Sequence, residues 1–465
     1  MTQLAHATEV QAGPPTRRRS LLRAGALGAS ALLATACGAS GAPAGAPGGG
    51  AGQRRSVQLR YTTFWNQQRL DVVAPAIRQF EEETGHRVSM EPVTNYAEKL
   101  VVEFVSGTAA DAPHANNTVM AKLFDQGMIL DLTPYTNRDK LNLRRDYGLM
   151  GQEFWDGKIL TMPYVLSPHA WYYNKTMLKE AGVPDPWERQ NGQLTWEDLL
   201  TIAKATTRPA QGDRPQRWGI WLNYTDIEYQ LAGFIWSNGG RAHDYGTMRY
   251  TMDQPRSIEA VQWVHDLLHK HRVMLSLSQV KDLSDAGLKH PFQDGRAALF
   301  ENSTGQLNPL ATGVKDFEWD VFPIPRVSRS GPAPVTYTSG DPNCVNAASD
   351  KRDEAWLLVK WLAGPTVQHL IGRTKLLTPA LIEAAADARG YAAPPPAHIK
   401  VFADVFRGKV TRRFFHHESA QGLRIFATWL GKAFDGEIAV EQALREATRE
   451  ANQIVAWRTK PTFPE

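Results

Sequence analysis

The sequence predicts an α/β protein built from alternating strands and helices, and two observations carry that expectation. From Val57 onward the apolar period switches repeatedly between two residues and 3.6. The chain also has 465 residues, 42% of them hydrophobic and 22% charged, the composition of a soluble globular protein with room for two ordinary domains.

The elements follow in order. Val57 to Tyr61 alternates apolar and polar residues and reads as a strand. Val72, Val73, Ala76, Ile77 and Phe80 then recur at helical spacing and stop before Gly85, and Val88 to Val93 is a second strand. This is a β-α-β unit, the grammar of a parallel sheet covered by helices. A helix around Glu98 to Phe104, a short segment near Ala115, a helix from Val119 and a strand over Ile159 to Tyr164 continue it. Thr195-Trp196-Glu197-Asp198 has the form of a helix cap, the Thr hydroxyl accepting from the backbone three residues on. Ile258, Val261, Val264 and Leu268 mark another helix, and Ala355 to Leu362 a third, stopped at Gly364-Pro365.

The first 56 residues do not belong to that grammar. Arg17 to Arg19 and Arg23 precede a run from Ala24 to Ala36 that is wholly apolar or small, the layout of a bacterial export signal. The run is too short for a permanent membrane span, which needs about 20 residues. Arg18-Arg19 with Leu21-Leu22 resembles a twin-arginine signal, which implies export of an already folded chain. Leu33 to Cys37 resembles a lipobox with Ala34 where Leu is usual, implying a lipid on Cys37; the alternative is ordinary cleavage nearby with Cys37 incidental. Residues 37 to 56 then form a Gly, Ala, Ser and Pro-rich tether.

Charge narrows the partners. The formal net charge is +4, but residues 1 to 56 hold six Arg and one Glu, leaving 46 basic against 47 acidic residues in the folded part. A nucleic-acid binder needs a basic surplus, and none is present. With Cys37 assigned to lipid, Cys344 has no partner for a disulfide and reads as a small buried residue.

A set of segments in fixed order resembles the family-1 extracellular solute-binding proteins of ABC importers, the group that includes maltose-type binding proteins. These are Ile77 to Gly85, Lys99-Leu100 with Glu103-Phe104 and Ser106 to Thr108, Gly127 to Leu132, Asp156 to Tyr164, Tyr172 to Lys175 with Glu180 to Gly182, Phe292 to Leu299, and Glu354 to Trp356. Two departures stand out. Glu301 to Gly305 replaces the stretch where the family usually has a Trp, and Ala112-Pro113-His114 replaces an apolar strand.

The resemblance implies a two-lobed periplasmic-binding-protein-like fold of type II, with hinge-linked lobes and a ligand cleft between them. By position, one lobe takes residues 57–165 and 300–341, the other 166–299 and 342–465. The implied function is that of a binding subunit, not an enzyme, which captures a carbohydrate by hinge closure and delivers it to the permease of an ABC transporter. The protein is expected outside the cell membrane, lipid-anchored and monomeric, with no cofactor.

Holding a sugar takes aromatic surfaces for its faces and paired donors and acceptors for its hydroxyls. Candidate contacts at strand ends are Trp65 and Asn66, Asn95 and Tyr96, and Asn116 and Asn117. Near the crossover stand Tyr164, Trp171 and Tyr172, with His169 between them; further on come Trp221, Trp236, Asn238, Asn302, Gly340 and Asp341. Trp196, Trp263, Trp356 and Trp361 lie within helical patterns and are expected in cores or helix packing.

Three rival readings remain. An exported glycoside hydrolase needs two carboxylates across a cleft, for which Asp341 and Glu301 are available. A metal receptor draws on His265 and His269, four apart on a helix, or on the Tyr172-Tyr173 pair, which resembles that of ferric-ion binding proteins. Strand alternation sends the two tyrosines to opposite faces, and the His pair, like His416-His417, reads as a solvated surface. A receptor for a polyol or glycerol phosphate is the third. No Gly-rich phosphate loop is present, so the importer's ATPase belongs to another chain.

Overall fold

The computed structural model describes residues 56–455, apart from 116–118, 149–150, 152, 213–215, 245, 289, 388–393, 406–408 and 412–418. The expected export signal, Cys37, most of the tether, Asn116, Asn117 and His416-His417 lie outside the described residues. Among the described residues no helix is long and apolar enough to cross a membrane.

The elements that position the site are strands β1 (Gln58–Thr63), β2 (Arg87–Pro92), β3 (Met162–Asn174), β4 (Trp218–Trp221), β5 (Ala297–Ser303), β6 (Trp319–Phe322) and β7 (Val335–Asn343). The helices are α1 (Gln67–Thr84), α2 (Tyr96–Ser106), α3 (Trp196–Thr206), α4 (Pro255–His269), α5 (Arg352–Ala363), α6 (Ser419–Phe434) and α7 (Val440–Ile454). Local sequence accounts for their ends. The Asn66 side chain accepts from Arg69 N–H to open α1, and Gly85 at φ 75° closes it, a left-handed conformation that glycine adopts without a Cβ penalty. Thr195 and Asp198 form the expected capping box on α3.

β1 and β2 pair in parallel, as the β-α-β pattern predicts. β3 departs from that pattern. The sequence suggested a strand that ends at Tyr164, whereas β3 runs 13 residues to Asn174. It pairs antiparallel with β7 through its first half and with β5 and β6 through its second. β4 joins β5 in parallel, so this sheet is mixed.

Two large hydrophobic cores lie along β3. The first holds Leu59, Tyr61, Phe80, Tyr164 and Leu166 together with Val345, Trp356, Leu362 and Ile371. The second holds Trp171, Tyr173, Ile220, Val264, Leu299 and Phe322 together with Phe426, Leu444 and Ala451 from α6 and α7. This packing differs from the division expected by position. Leu299, Phe322 and Ile324 pack with the second core because β5 and β6 pair with the distal half of β3, and 345–384 pack with the first because β7 ends beside its proximal half. The segment beyond 385, which carried no motif, supplies the two helices that complete the second core.

Alternation separates Tyr172 and Tyr173 as expected: Tyr173 enters the second core, and Tyr172 enters a cluster on the opposite sheet face with Phe300, Trp319 and Phe402. Trp196, Trp263, Trp356 and Trp361 all pack in or against cores. Cys344 is fully buried. His265 does not stand on a solvated face: its ring is half-buried against Phe434, and exposed His269 stacks on it at 4.3 Å.

β4 lies so close to α3 that a Cβ on Gly219 would fall 2.3 Å from the Ala203 backbone. Backbone cannot move aside as a side chain can. Gly219→Ala is expected to cost about 2–3 kcal/mol in denaturant unfolding, the range of an overpacked core; an unchanged midpoint would contradict this strand–helix contact.

Candidate functional site

Along β3 every residue is buried except Ser167, and along β7 solvent reaches only Val335, Ser339 and Asp341. Register sets Ser339 opposite Ser167 and Asp341 opposite Val165. Directly paired residues share a face and alternate residues return to it, so Ser167, Ser339 and Asp341 form one row. That row lies where β3 passes from one core to the other.

On the first-core side, Trp65 is fully buried beside Asp341. Its indole stacks on Tyr164 with ring centroids 4.9 Å apart and meets His114 edge-on at 5.2 Å. Thr63 Oγ1 lies 2.7 Å from His114 Nδ1 and accepts from the Trp65 N–H. Burial pushes the His114 ring down to about 3, which leaves it neutral at physiological pH. Burial raises the Asp341 carboxyl to about 6, against the opposing effects of the Arg69 charge and the Trp65 indole. Asn66 brings Arg69 here, since its cap sets Arg69 in the first turn of α1.

On the second-core side, the next step along the same face brings His169 and Glu301. The two are 2% and 3% exposed, with His169 Nδ1 2.8 Å from Glu301 Oε1. Among the described residues, Glu301 Oε2 and His169 Nε2 are buried with no hydrogen-bond partner. Tyr337 meets His169 edge-on at 5.2 Å and Tyr229 lies 5.8 Å from it. Gln230 donates to the Glu301 carbonyl, holding the loop after β4 against the pair.

Of the expected contacts, Trp65, Tyr164 and Asp341 come together here, with Gly340 in β7 between the two exposed positions. The others are placed elsewhere. Asn66 caps α1, Asn95 is an exposed residue at φ 53° before α2, and Tyr96 donates its hydroxyl to the His114 carbonyl at 2.6 Å. Trp171 stacks on Phe322 inside the second core, and Tyr172 donates to the Ser303 carbonyl on the opposite face. Trp221 stacks on Phe300 at 4.6 Å, Trp236 packs on the second core, and Asn238 bonds the Arg256 carbonyl. Asn302 pairs with Ala170 and so faces away from the Ser167 row. Arg69, His114, Tyr229 and Tyr337 gave no motif in the sequence; only the fold brings them to the row.

A carboxyl whose pKa is raised in the folded state binds its proton more tightly there, so it lowers stability as pH rises from its unfolded value, near 3.8, through about 6. Asp341→Asn removes that penalty. In urea unfolding the variant is expected to gain on the wild type by on the order of 1 kcal/mol between pH 4 and pH 7.5, allowing for the partial exposure of Asp341; a difference that stays constant with pH would contradict the burial argument.

The fold and sequence were compared with known proteins. A profile of bacterial extracellular solute-binding proteins matches residues 75–395. A protein of Brucella abortus (strain 2308), named as a binding protein, is 25% identical over 272 residues, or 57% of this chain; the chain spans 61% of that relative's length. Among solved structures, an ABC substrate-binding protein from Listeria monocytogenes in complex with cycloalternan superposes with a TM-score of 0.70 at 18% identity, covering 86% of this chain and 99% of that one. The sugar-binding protein MalE of Xanthomonas citri gives 0.70 at 18%, covering 85% and 97%. A solute-binding protein from Thermotoga lettingae bound with alpha-D-tagatose gives 0.68 at 16%, covering 86% and 100%. The fold is therefore the two-lobed, periplasmic-binding-protein-like α/β fold of type II, and the chain belongs to the bacterial extracellular solute-binding proteins.

Proposed function

We propose that this protein is the substrate-binding subunit of an ABC importer, capturing a carbohydrate at the Ser167–Ser339–Asp341 row and handing it to a membrane permease. The observation that carries this reading is the row itself: along β3 only Ser167 meets solvent, and across from it on β7 Ser339 and Asp341 do, with the Trp65 indole beside Asp341. Such a floor offers the hydroxyl-binding groups that a sugar requires. The sugar ligands of the Listeria and Thermotoga proteins favour the same class of solute.

The row draws one wall from each core, so a ligand gains its full set of contacts only when both walls reach it. Binding then shifts an equilibrium between open and closed arrangements by the differential affinity for the closed one. The closed form is what a permease would recognise. An export signal and a lipid on Cys37 would hold the protein at the outer face of the cytoplasmic membrane.

Hydrolysis is disfavoured by spacing. Asp341 sits opposite Val165 and Glu301 opposite Trp171, so at about 3.3 Å per residue their positions are roughly 20 Å apart along β3. Paired glycosidase carboxylates stand about 5 to 9.5 Å apart.

A thermal-shift panel of mono- and oligosaccharides, polyols, amino acids and metal ions tests the capture reading. A carbohydrate present at 100 times its dissociation constant should stabilise the protein by about 2.7 kcal/mol; a response to metals or amino acids with none to any carbohydrate or polyol would overturn it. The anchor is tested separately by fractionating cells that express Cys37→Ser, which should release the protein from the membrane fraction, whereas an unchanged distribution would refute lipid attachment at Cys37.

A further inference from the structure

A cavity of about 530 Å³ lies at the end of β3, lined by Asn174, Arg217, Gln293, Asp294, Arg296 and Asp316. Asn174 is the last residue of β3, so the cavity stands roughly 23 Å from Ser167 along the strand at about 3.3 Å per residue. Arg217, Arg296 and Asp316 come from the segments that lead into β4, β5 and β6. The Arg296 backbone is fixed on both sides: its carbonyl accepts from the Trp218 N–H at 2.8 Å, and its N–H donates to the Pro291 carbonyl at 2.8 Å. Its partly buried side chain makes no hydrogen bond or ion pair among the described residues, and Nε is buried without a partner. The other charges are placed differently. Arg217 pairs with Glu180 at 2.5 Å, and Asp294 Oδ2 accepts from the His290 N–H at 2.8 Å. Asp316 is exposed and has no ion pair among the described residues. Gln293 holds its amide over Gly313, where a Cβ would fall 2.0 Å from Nε2.

With Arg217 and Glu180 offsetting each other, one cation, Arg296, shares the cavity with two carboxylates, Asp294 and Asp316. A partly buried guanidinium with no acceptor is costly. A simple anion would answer Arg296 but add to the negative excess, and a simple cation would leave Arg296 unanswered. A molecule that carries both charges meets both needs. We infer that this cavity is a second binding site, remote from the row, for the zwitterionic head of a free amino acid. The terminal N–H groups of Arg296 donate to the ligand carboxylate, a charge-assisted pairing that the planar guanidinium favours. The ligand ammonium turns to Asp316, and the Gln293 amide offers a further polar partner. The cavity has the size usual for small-molecule sites, with room for a side chain. Its residues lie on the distal side of the row, so occupation here does not require the two walls of the row to close.

Calorimetry and thermal shift on the purified full chain test this, with glycine and L-alanine as probes and acetate and methylamine as the corresponding half-ligands. An amino acid that binds at least about thirtyfold more tightly than either half supports the inference. Arg296→Gln and Asp316→Asn should each weaken that binding at least about tenfold, while the response to carbohydrate stays that of the wild type. Binding of neither amino acid, or acetate bound as tightly as both, overturns the inference and leaves capture at the row untouched. Amino-acid binding unchanged in Arg296→Gln overturns it too, since the ligand then sits elsewhere, and a loss in Arg296→Gln with none in Asp316→Asn overturns the zwitterion. The capture reading is judged by the carbohydrate response alone. The wild-type comparison of whole and half ligands, with Asp316→Asn at an exposed position, decides the matter even where Arg296→Gln does not fold.

Discussion

The hydrogen bonding of one long strand underlies the rest of this structure. β3 spends its first half against β7 and its second against β5 and β6, so each core is closed by a different part of the same 13 residues. Both faces of β3 are therefore covered along nearly its whole length. The single place where cover fails is the handover between cores, and a polar residue, Ser167, stands there. A break in packing forced by joining two cores is thus also where solvent reaches β3.

The same passage sets the electrostatics. Asp341 and Glu301 lie on strands that would ordinarily be filled by apolar residues, and each is desolvated enough for burial to raise its pKa. Desolvated carboxyls weaken a folded protein unless something compensates them. Arg69 and the Trp65 indole do so in part for Asp341, and His169 does so for one oxygen of Glu301. Glu301 Oε2 is left buried without a hydrogen-bond partner among the described residues.

Much of the fold was legible in the sequence because it depends on short-range regularities. The Thr195 and Asp198 cap, the apolar spacing of α1, α4 and α5, and the burial of Trp196 and Trp356 follow from neighbours within a few residues. The candidate site was legible only in part. Trp65 sits just past the end of β1, where local sequence marks it, and Asp341 lies within β7. Trp221, Tyr172 and Asn302 have equally suitable chemistry, but Phe300, Ser303 and the register of β5 occupy them or turn them away. An aromatic residue carries no local sign of whether a core or a cleft will claim it.

What the sequence determined by itself was the class of fold, the ends of its elements and the kind of protein, since periodicity, capping and ordered motifs are properties of neighbouring residues. The tertiary structure alone decided which segments share a core, that β3 continues through both, and which face of it meets solvent. β3 is buried on both sides along nearly its whole length, so its alternation alone has no phase that shows which face meets solvent. Pairing with β7 and β5, more than a hundred residues away in sequence, supplies that phase, and with it the row formed by Ser167, Ser339 and Asp341.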